Sequence, residues 1–393
     1  MKSFYNEVED VLHKNILAFW QNNMIDPQGG FFGEFTGMGK LMKDAPKGAV
    51  LNARILWAFS AAYRMTGNPE YLTMATRAKD YLLENFYDNE FGGIYWSLTA
   101  DGNPLDTKKQ IYAIGFAIYG LSEYVRITNS EEALDYAIKL YQSIEQYSYD
   151  NVNNGYFEAF TREWKEMGDV RLSDKDANEC KTMNTHLHIL EPYTNLYRVW
   201  RNEELKLRIQ NLLGIFMDKI YDPTTNHLGL FFNEEWLSKD AGYSYGHDIE
   251  ASWLMLEAAQ VIGNPSLLTK TKSITKKIAN AADEGRQEDG SMIYEMHPNG
   301  RLDYERHWWV QAEAVVGYLW LWHYQDDELA FNKSLACWEY IKTHIIDFRN
   351  GEWWWGAMAD GTADKENDKA GFWKCPYHNT RMCLEVMDIL SRV

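Results

Sequence analysis

The residues with the most chemical reach in this chain are histidines, one arginine and a few glutamates. His247 and Glu250 stand three apart, which puts them on one face of a helix, where a carboxylate can orient an imidazole and raise its basicity. His378 comes from the far end of the sequence. His188 shares a face with Asn184 at i, i+4, whereas His186 must point elsewhere and is discounted. Arg54 is a fixed cation able to polarise a carbonyl or stabilise an enolate oxygen. Because histidine titrates near neutrality, one can serve as base and another as acid, so the set suits proton abstraction beside a carbonyl. The pair Glu250 and Glu313 offers a second chemistry, glycoside hydrolysis. That reading leaves His247 and His378 without a task and ranks below the first.

Several chemistries lack their signatures. There is no H-E-x-x-H or C-x-x-C spacing for zinc, no glycine-rich phosphate cradle and no G-x-S-x-G nucleophile elbow. Neither a metal nor a cofactor is expected.

These residues need a common scaffold, and the sequence holds one as a repeat. Short glycine- and aromatic-rich segments return at 29–35 (GGFFGEF), 92–96 (GGIYW), 154–158 (NGYFE), 227–232 (HLGLFF), 290–295 (GSMIYE) and 351–356 (GEWWWG). An amphipathic helix with a charged face precedes each copy, as at 70–87 or 131–149. A more apolar helix with small residues follows, as at 51–65, 111–125 and 249–261. The first kind reads as an outer helix and the second as an inner one. Six outer-helix/hairpin/inner-helix units close into two concentric rings: an all-α (α/α)6 barrel with short β-hairpins only. An open solenoid would need polar terminal caps. The last helix, 377–390, is as apolar as the other inner ones and favours closure. No linker or composition break interrupts the repeats, so residues 1–393 are expected to be one catalytic domain.

The first turns of the six inner helices carry polar or aromatic groups: Asn52 and Arg54; Gln110 and Tyr112; Asn184, His186 and His188; Tyr245, His247 and Glu250; Trp308, Trp309, Gln311 and Glu313; Tyr377, His378 and Asn379. Polar groups opening apolar helices are costly unless paired or used. With all inner helices running one way, they are expected to converge at one mouth as a site.

Composition narrows the partners. Aromatic residues make up 15% of the chain, with 16 Trp, 25 Tyr and 17 Phe, and flat rings match the apolar face of a pyranose. Most of them fill the core. A net charge of −18 disfavours nucleic acid and anionic membranes. The acidic, amphipathic N-terminus is not a signal peptide, and no apolar run reaches spanning length. Four cysteines without metal spacing read as reduced thiols of a cytoplasmic protein.

Four stretches, 183–198 (MNTHLHILEPYTNLYR), 245–253 (YGHDIEASW), 307–313 (HWWVQAE) and 372–378 (FWKCPYH), carry a resemblance over essentially the whole chain. The sequence resembles the N-acylglucosamine 2-epimerase superfamily, and within it most closely the cellobiose 2-epimerases. The resemblance implies an (α/α)6 barrel that inverts C2 of a reducing-end sugar without metal or nucleotide. It assigns His247 and His378 to C2 proton exchange, and His188 to ring opening or contact with substrate hydroxyls. It places Arg54, Tyr112 and Asn184 around O1 and O2. Glu250, Trp253, Trp309 and Glu313 take supporting and stacking positions, and Trp373 lies beside the final histidine. Trp309 is preferred over Trp308 because it lies four before Glu313, on the same face.

The substrate's size rests on two long connections, 161–182 and 357–376, which carry Trp164, Asp174, Asp176, Asp364, Lys369 and Trp373. These residues are candidates to line room for a second ring. With the resemblance, a β-1,4-linked disaccharide such as cellobiose is expected, acted on by a monomer or homodimer. A 2-epimerase or aldose–ketose isomerase acting on free mannose or glucose is the alternative, with N-acetylglucosamine ranked lower. A non-catalytic glycan-binding barrel would keep the tryptophans but would not need two facing histidines.

Overall fold

A computed structural model describes residues 1–239 and 242–393. Six outer helices alternate with six inner ones. The outer helices span 2–23, 69–86, Glu131–Tyr147, 203–220, Pro265–Ala282 and 330–345. The inner helices are Ala49–Thr66, Ile111–Thr128, Met183–Val199, Tyr245–Ile262, Trp308–Gln325 and His378–Ser391. Each inner helix packs on the next, and the sixth returns to the first and to the N-terminal outer helix. The expected closed (α/α)6 barrel is the architecture observed.

Sequence chemistry sets the helix ends. Asn68, Ser130, Asn202 and Asn264 cap outer helices through their side chains, and Thr182 and Ser244 cap the third and fourth inner ones. Gly67 and Gly263 end the first and fourth inner helices in the left-handed conformation that favours glycine. The first four inner helices are buried over most of their length, whereas the outer ones show one wet face.

Each outer helix leads into a hairpin pinned by one bridge: Ile25 to Phe31, Tyr87 to Ile94, Tyr149 to Tyr156, Tyr221 to Leu228, Arg286 to Met292 and Ile346 to Trp353. A two-residue strand before an inner helix then pairs with the hairpin of the following repeat, as 47–48 does with 97–98 and 109–110 with 159–160. Ala370 closes the circuit on Phe35. The inner N-termini are thereby gathered at one end. Their first N–H groups are satisfied across repeats, for example Ala49 N to Trp96 O and Ile111 N to Glu158 O, both at 3.0 Å.

Buried lysines reinforce this lacing. Lys47, Lys109, Lys181 and Lys369 reach Asp26, Asp88, Asp150 and Asp347 of their own hairpins. Lys369, expected near a second sugar, is therefore a fold staple. In the fourth repeat Tyr243 takes the place of the lysine and stacks on His227, whose Nδ1 lies 2.6 Å from Asp248.

Candidate active site

The barrel mouth is built in layers. The sixth residue of each of the first five inner helices is Arg54, Phe116, His188, Glu250 and Glu313. One register on successive helices brings them to one level. Three positions deeper stand Trp57, Tyr119, Glu191 and Trp253. Gly115 and Pro192 shape the wall at His188. Proline has no N–H to bond the His188 carbonyl. A Cβ on Gly115 would lie 2.3 Å from that same oxygen, so only glycine lets the second helix approach.

Two histidines are held alike. His188 Nδ1 lies 2.9 Å from Glu191 Oε2, and His378 Nδ1 lies 2.7 Å from Glu313 Oε1. A carboxylate at Nδ1 keeps the ring proton there and leaves Nε2 as the basic end. His247 differs: its Nδ1 meets the Ser244 hydroxyl at 2.8 Å, a partner that can donate or accept. The anticipated pairing of Glu250 with His247 does not occur. Glu250 turns instead to Arg381, at 2.6 Å. The i, i+3 spacing that suggested His247 and Glu250 belongs in the structure to His188 and Glu191.

Arg381 gathers three carboxylates. One guanidinium nitrogen bonds Glu250 and Glu313 at 2.6 Å each, and the other bonds Glu191 and the Tyr377 hydroxyl. Glu250, Glu313 and His378 offer ligand atoms within 4.8 Å of one another, but this guanidinium already supplies the cation they face. Each glutamate bonds this guanidinium through one oxygen, and burial with the nearby Glu313 charge raises the Glu250 carboxyl well above its usual range. Glu191 and Arg381 are not among the candidates that the sequence singles out. Both were within reach, each standing three residues after a candidate histidine.

Burial pushes all three imidazoles below their usual range. His247 is lowered to about 3 by burial and then by His188, partly offset by Glu313. His378 is held well below 6.5 by burial, Arg54 and Arg381. His188 is lowered by burial despite the opposing pull of Glu191. All three rest as neutral bases. Glu191 stays below the usual carboxylate range because Arg381 and its hydrogen bonds outweigh burial.

Arg54 donates to the Tyr112 hydroxyl at 2.7 Å and lies over Phe116 (4.1 Å) and Tyr377 (4.7 Å). Its Nε is a buried donor without a partner, and Asn184 Oδ1 and Glu250 Oε2 are buried acceptors without one. Trp309 packs against His247 at 4.7 Å and His378 at 5.7 Å, so one indole flanks both rings. Trp308 is buried against Trp355 instead. Trp253 donates to Glu313 at 3.0 Å, and Trp373 meets Tyr112 and Trp96.

From His247 and Asn184 a cavity of about 570 Å³ extends outward, walled by the loop after the third hairpin and by the fourth and fifth hairpins. Of the loop residues singled out, Asp176 lines it. Asp174 is exposed, Trp164 bonds the Phe91 carbonyl, and Asp364 caps its own loop at Glu366 and Asn367. Several first-turn polar groups likewise stitch the scaffold. Gln311 bonds both backbone groups of Met292, His186 accepts from Tyr156 N, Asn52 bonds Gly48 O, Gln110 bonds Val170 O, and Asn379 bonds Glu352. The expected convergence thus holds for a subset of the polar groups.

Among the described residues no helix is long and apolar enough to cross a membrane. Residues 30–381 match the family model of N-acylglucosamine 2-epimerase. The chain is 57% identical to a cellobiose 2-epimerase of Bacteroides fragilis, over 97% of this chain and 98% of that one. It is 40% identical to a cellobiose 2-epimerase of Ruminococcus albus, at the same coverage. The solved cellobiose 2-epimerase of Bacillus thermoamylovorans superposes with a TM-score of 0.96 at 44% identity, covering all of both chains. The chain belongs to the N-acylglucosamine 2-epimerase family, and it is an isomerase of the epimerase kind.

Proposed function

We propose that the chain, acting as one catalytic domain over 1–393, interconverts cellobiose and glucosyl-mannose by inverting C2 of the reducing-end residue. The observation that carries this is the pair of imidazoles, His247 and His378, flanking the single indole of Trp309. His188 assists ring opening. One of the flanking histidines removes the C2 proton of the open-chain aldose, giving an enediolate whose O1 is held by Arg54, with Tyr112 and Asn184 beside it. Rotation about C2–C3 presents the other face, and the other histidine, protonated from solvent beforehand, returns that proton to C2 while the first gives its own up to solvent. Glu250 and Glu313 support the histidine layer, Trp253 fixes Glu313, and Trp309 and Trp373 offer faces to the sugar rings.

A β-1,4-linked disaccharide is supported by the names of the relatives and by the room outward of His247. The free thiols support a reducing, cytoplasmic setting for a monomer or homodimer. Incubation with cellobiose, mannose and N-acetylglucosamine in heavy water, with products resolved by chromatography and NMR, tests both halves. The cellobiose epimer should form and carry deuterium at C2. Turnover of mannose but not cellobiose would move the assignment to a monosaccharide enzyme, and an unlabelled C2 would point to a redox route.

A further inference from the structure

Arg381 lies one turn into the sixth inner helix and is buried, with its guanidinium over the rings of Trp253 (4.7 Å) and Tyr377 (4.4 Å). Its two terminal nitrogens face carboxylates from three other helices: Glu191 of the third, Glu250 of the fourth and Glu313 of the fifth. Two of those carboxylates carry histidines. An unbroken path therefore runs from His188 through Glu191, Arg381 and Glu313 to His378. His247, anchored on Ser244, stands outside it.

We propose that Arg381 is a positioning residue that couples His188 to His378, so that a proton on one discourages a proton on the other. This rests on the histidine roles proposed above. Burial and Glu313 raise the Glu250 carboxyl well above its usual range, and Glu191 and Glu313 still outnumber the one guanidinium, so a single proton on a histidine balances the cluster. Once either histidine holds that proton, the excess is reduced and a second proton gains less. Such coupling is reciprocal between the two sites. The chemistry asks for the same alternation. Ring opening needs a proton donor at His188 while His378 remains a base toward C2.

The groups facing these rings are few. His188 meets Glu191 on its own helix, Tyr112 on the second, the charges of Arg54 and Arg381 from the first and sixth, and His247 of the fourth, whose imidazolium it disfavours. His378 meets Glu250 and Glu313, the neighbouring Tyr377, and the charges of Arg54, Arg381, His188 and Glu191. Arg381 is a positive charge common to both surroundings, and it disfavours the imidazolium in each.

The test is the pair R381Q and R381K, with full pH profiles of kcat and kcat/KM on the epimerised sugar. R381Q should lower kcat on the order of 100-fold with KM little changed, because the histidines lose their fixed geometry. Its acid limb in kcat/KM should move to higher pH, since one of the two cations opposing imidazolium, Arg54 and Arg381, is gone. R381K should return the acid limb to its wild-type position without restoring kcat, because one ammonium cannot reproduce a fork to separate carboxylates. Wild-type kcat in R381K, or a raised KM with an unmoved acid limb in R381Q, would overturn the coupling. Should R381Q fail to fold by circular dichroism, the kcat of R381K decides alone. H188N and H378N run in parallel separate the two failures. If they are inactive while the Arg381 variants behave as wild type, only the coupling falls. If they remain active, the histidine roles fall.

Discussion

His378 Nδ1 lies 2.7 Å from Glu313 Oε1, while the other oxygen of Glu313 accepts the Trp253 indole N–H at 3.0 Å. The carboxylate is thus fixed from both ends, and it fixes the proton on Nδ1 of the imidazole. E313Q removes the negative charge that holds the Nδ1 proton, and its NH2 must oppose either the Trp253 N–H or the Arg381 guanidinium, so the imidazole is no longer held with Nε2 free. We expect kcat to fall on the order of 10²–10⁴-fold with the fold intact, read by steady-state kinetics and circular dichroism.

H247A and H378A should each nearly abolish turnover. Exchange of the C2 proton with solvent is the finer readout, because either histidine alone can still take up and return a proton on its own face. Each variant should retain residual deuterium wash-in at C2 of the substrate without forming the epimer. Epimer formed at the wild-type rate by either variant would remove that histidine from the mechanism.

R54K retains the charge but loses planarity. The guanidinium of Arg54 lies 4.1 Å from the Phe116 ring centre and donates to Tyr112 at 2.7 Å. A lysine ammonium can neither stack in that slot nor present two parallel donors to an enediolate. A drop in kcat on the order of 10²–10³-fold is expected, with substrate binding measured separately by calorimetry.

Lys181 donates to Asp150 at 2.6 Å and to the carbonyls of Asn154 and Glu234 at 2.7 Å, and it is fully buried. K181M leaves Asp150 buried without its cation and two carbonyls without a donor. Breaking such a pair costs about 3–5 kcal/mol. The midpoint of urea unfolding should fall accordingly, and D150N with K181M should recover part of the loss.

At the opposite end of the barrel Glu123 is held by Arg64 at 2.6 Å and Arg126 at 2.9 Å. Burial raises its carboxyl, but the two arginines outweigh burial and lower it from 4.5 to about 2. A folded-state value below the unfolded one stabilises the fold above about pH 4.5, and this contribution is lost as pH falls toward 2. The difference in thermal midpoint between wild type and E123Q should be largest near neutrality and shrink through that window.

The repeat, the helix types and the reacting side chains were legible in the sequence because each depends on neighbours within a few residues. Glycine-aromatic hairpins every 61 to 73 residues and helices of alternating wetness left one closed architecture. His247, His378, His188 and Arg54 stood out as polar groups opening apolar helices. Their partners were harder to read. Glu250 was given to His247 by spacing alone, yet its carboxylate lies on Arg381, which is 131 residues away. Gln311 and Asn379 share first turns with site residues but bond hairpins, since side chains a few positions apart on one helix face different neighbours.

What the sequence determined by itself was therefore the scaffold and the inventory: six like units, an inner ring with histidines at its N-terminal ends, and one arginine among them. Tertiary structure alone decided that Glu313 answers His378 and that Glu250 lies on Arg381. It also decided that one guanidinium joins three carboxylates and that several loop residues are staples rather than pocket walls. Local pattern follows from helix period and burial, which act over one or two turns. The proton placement at His378 follows from a contact between helices far apart in the chain, and that contact exists only once the ring has closed.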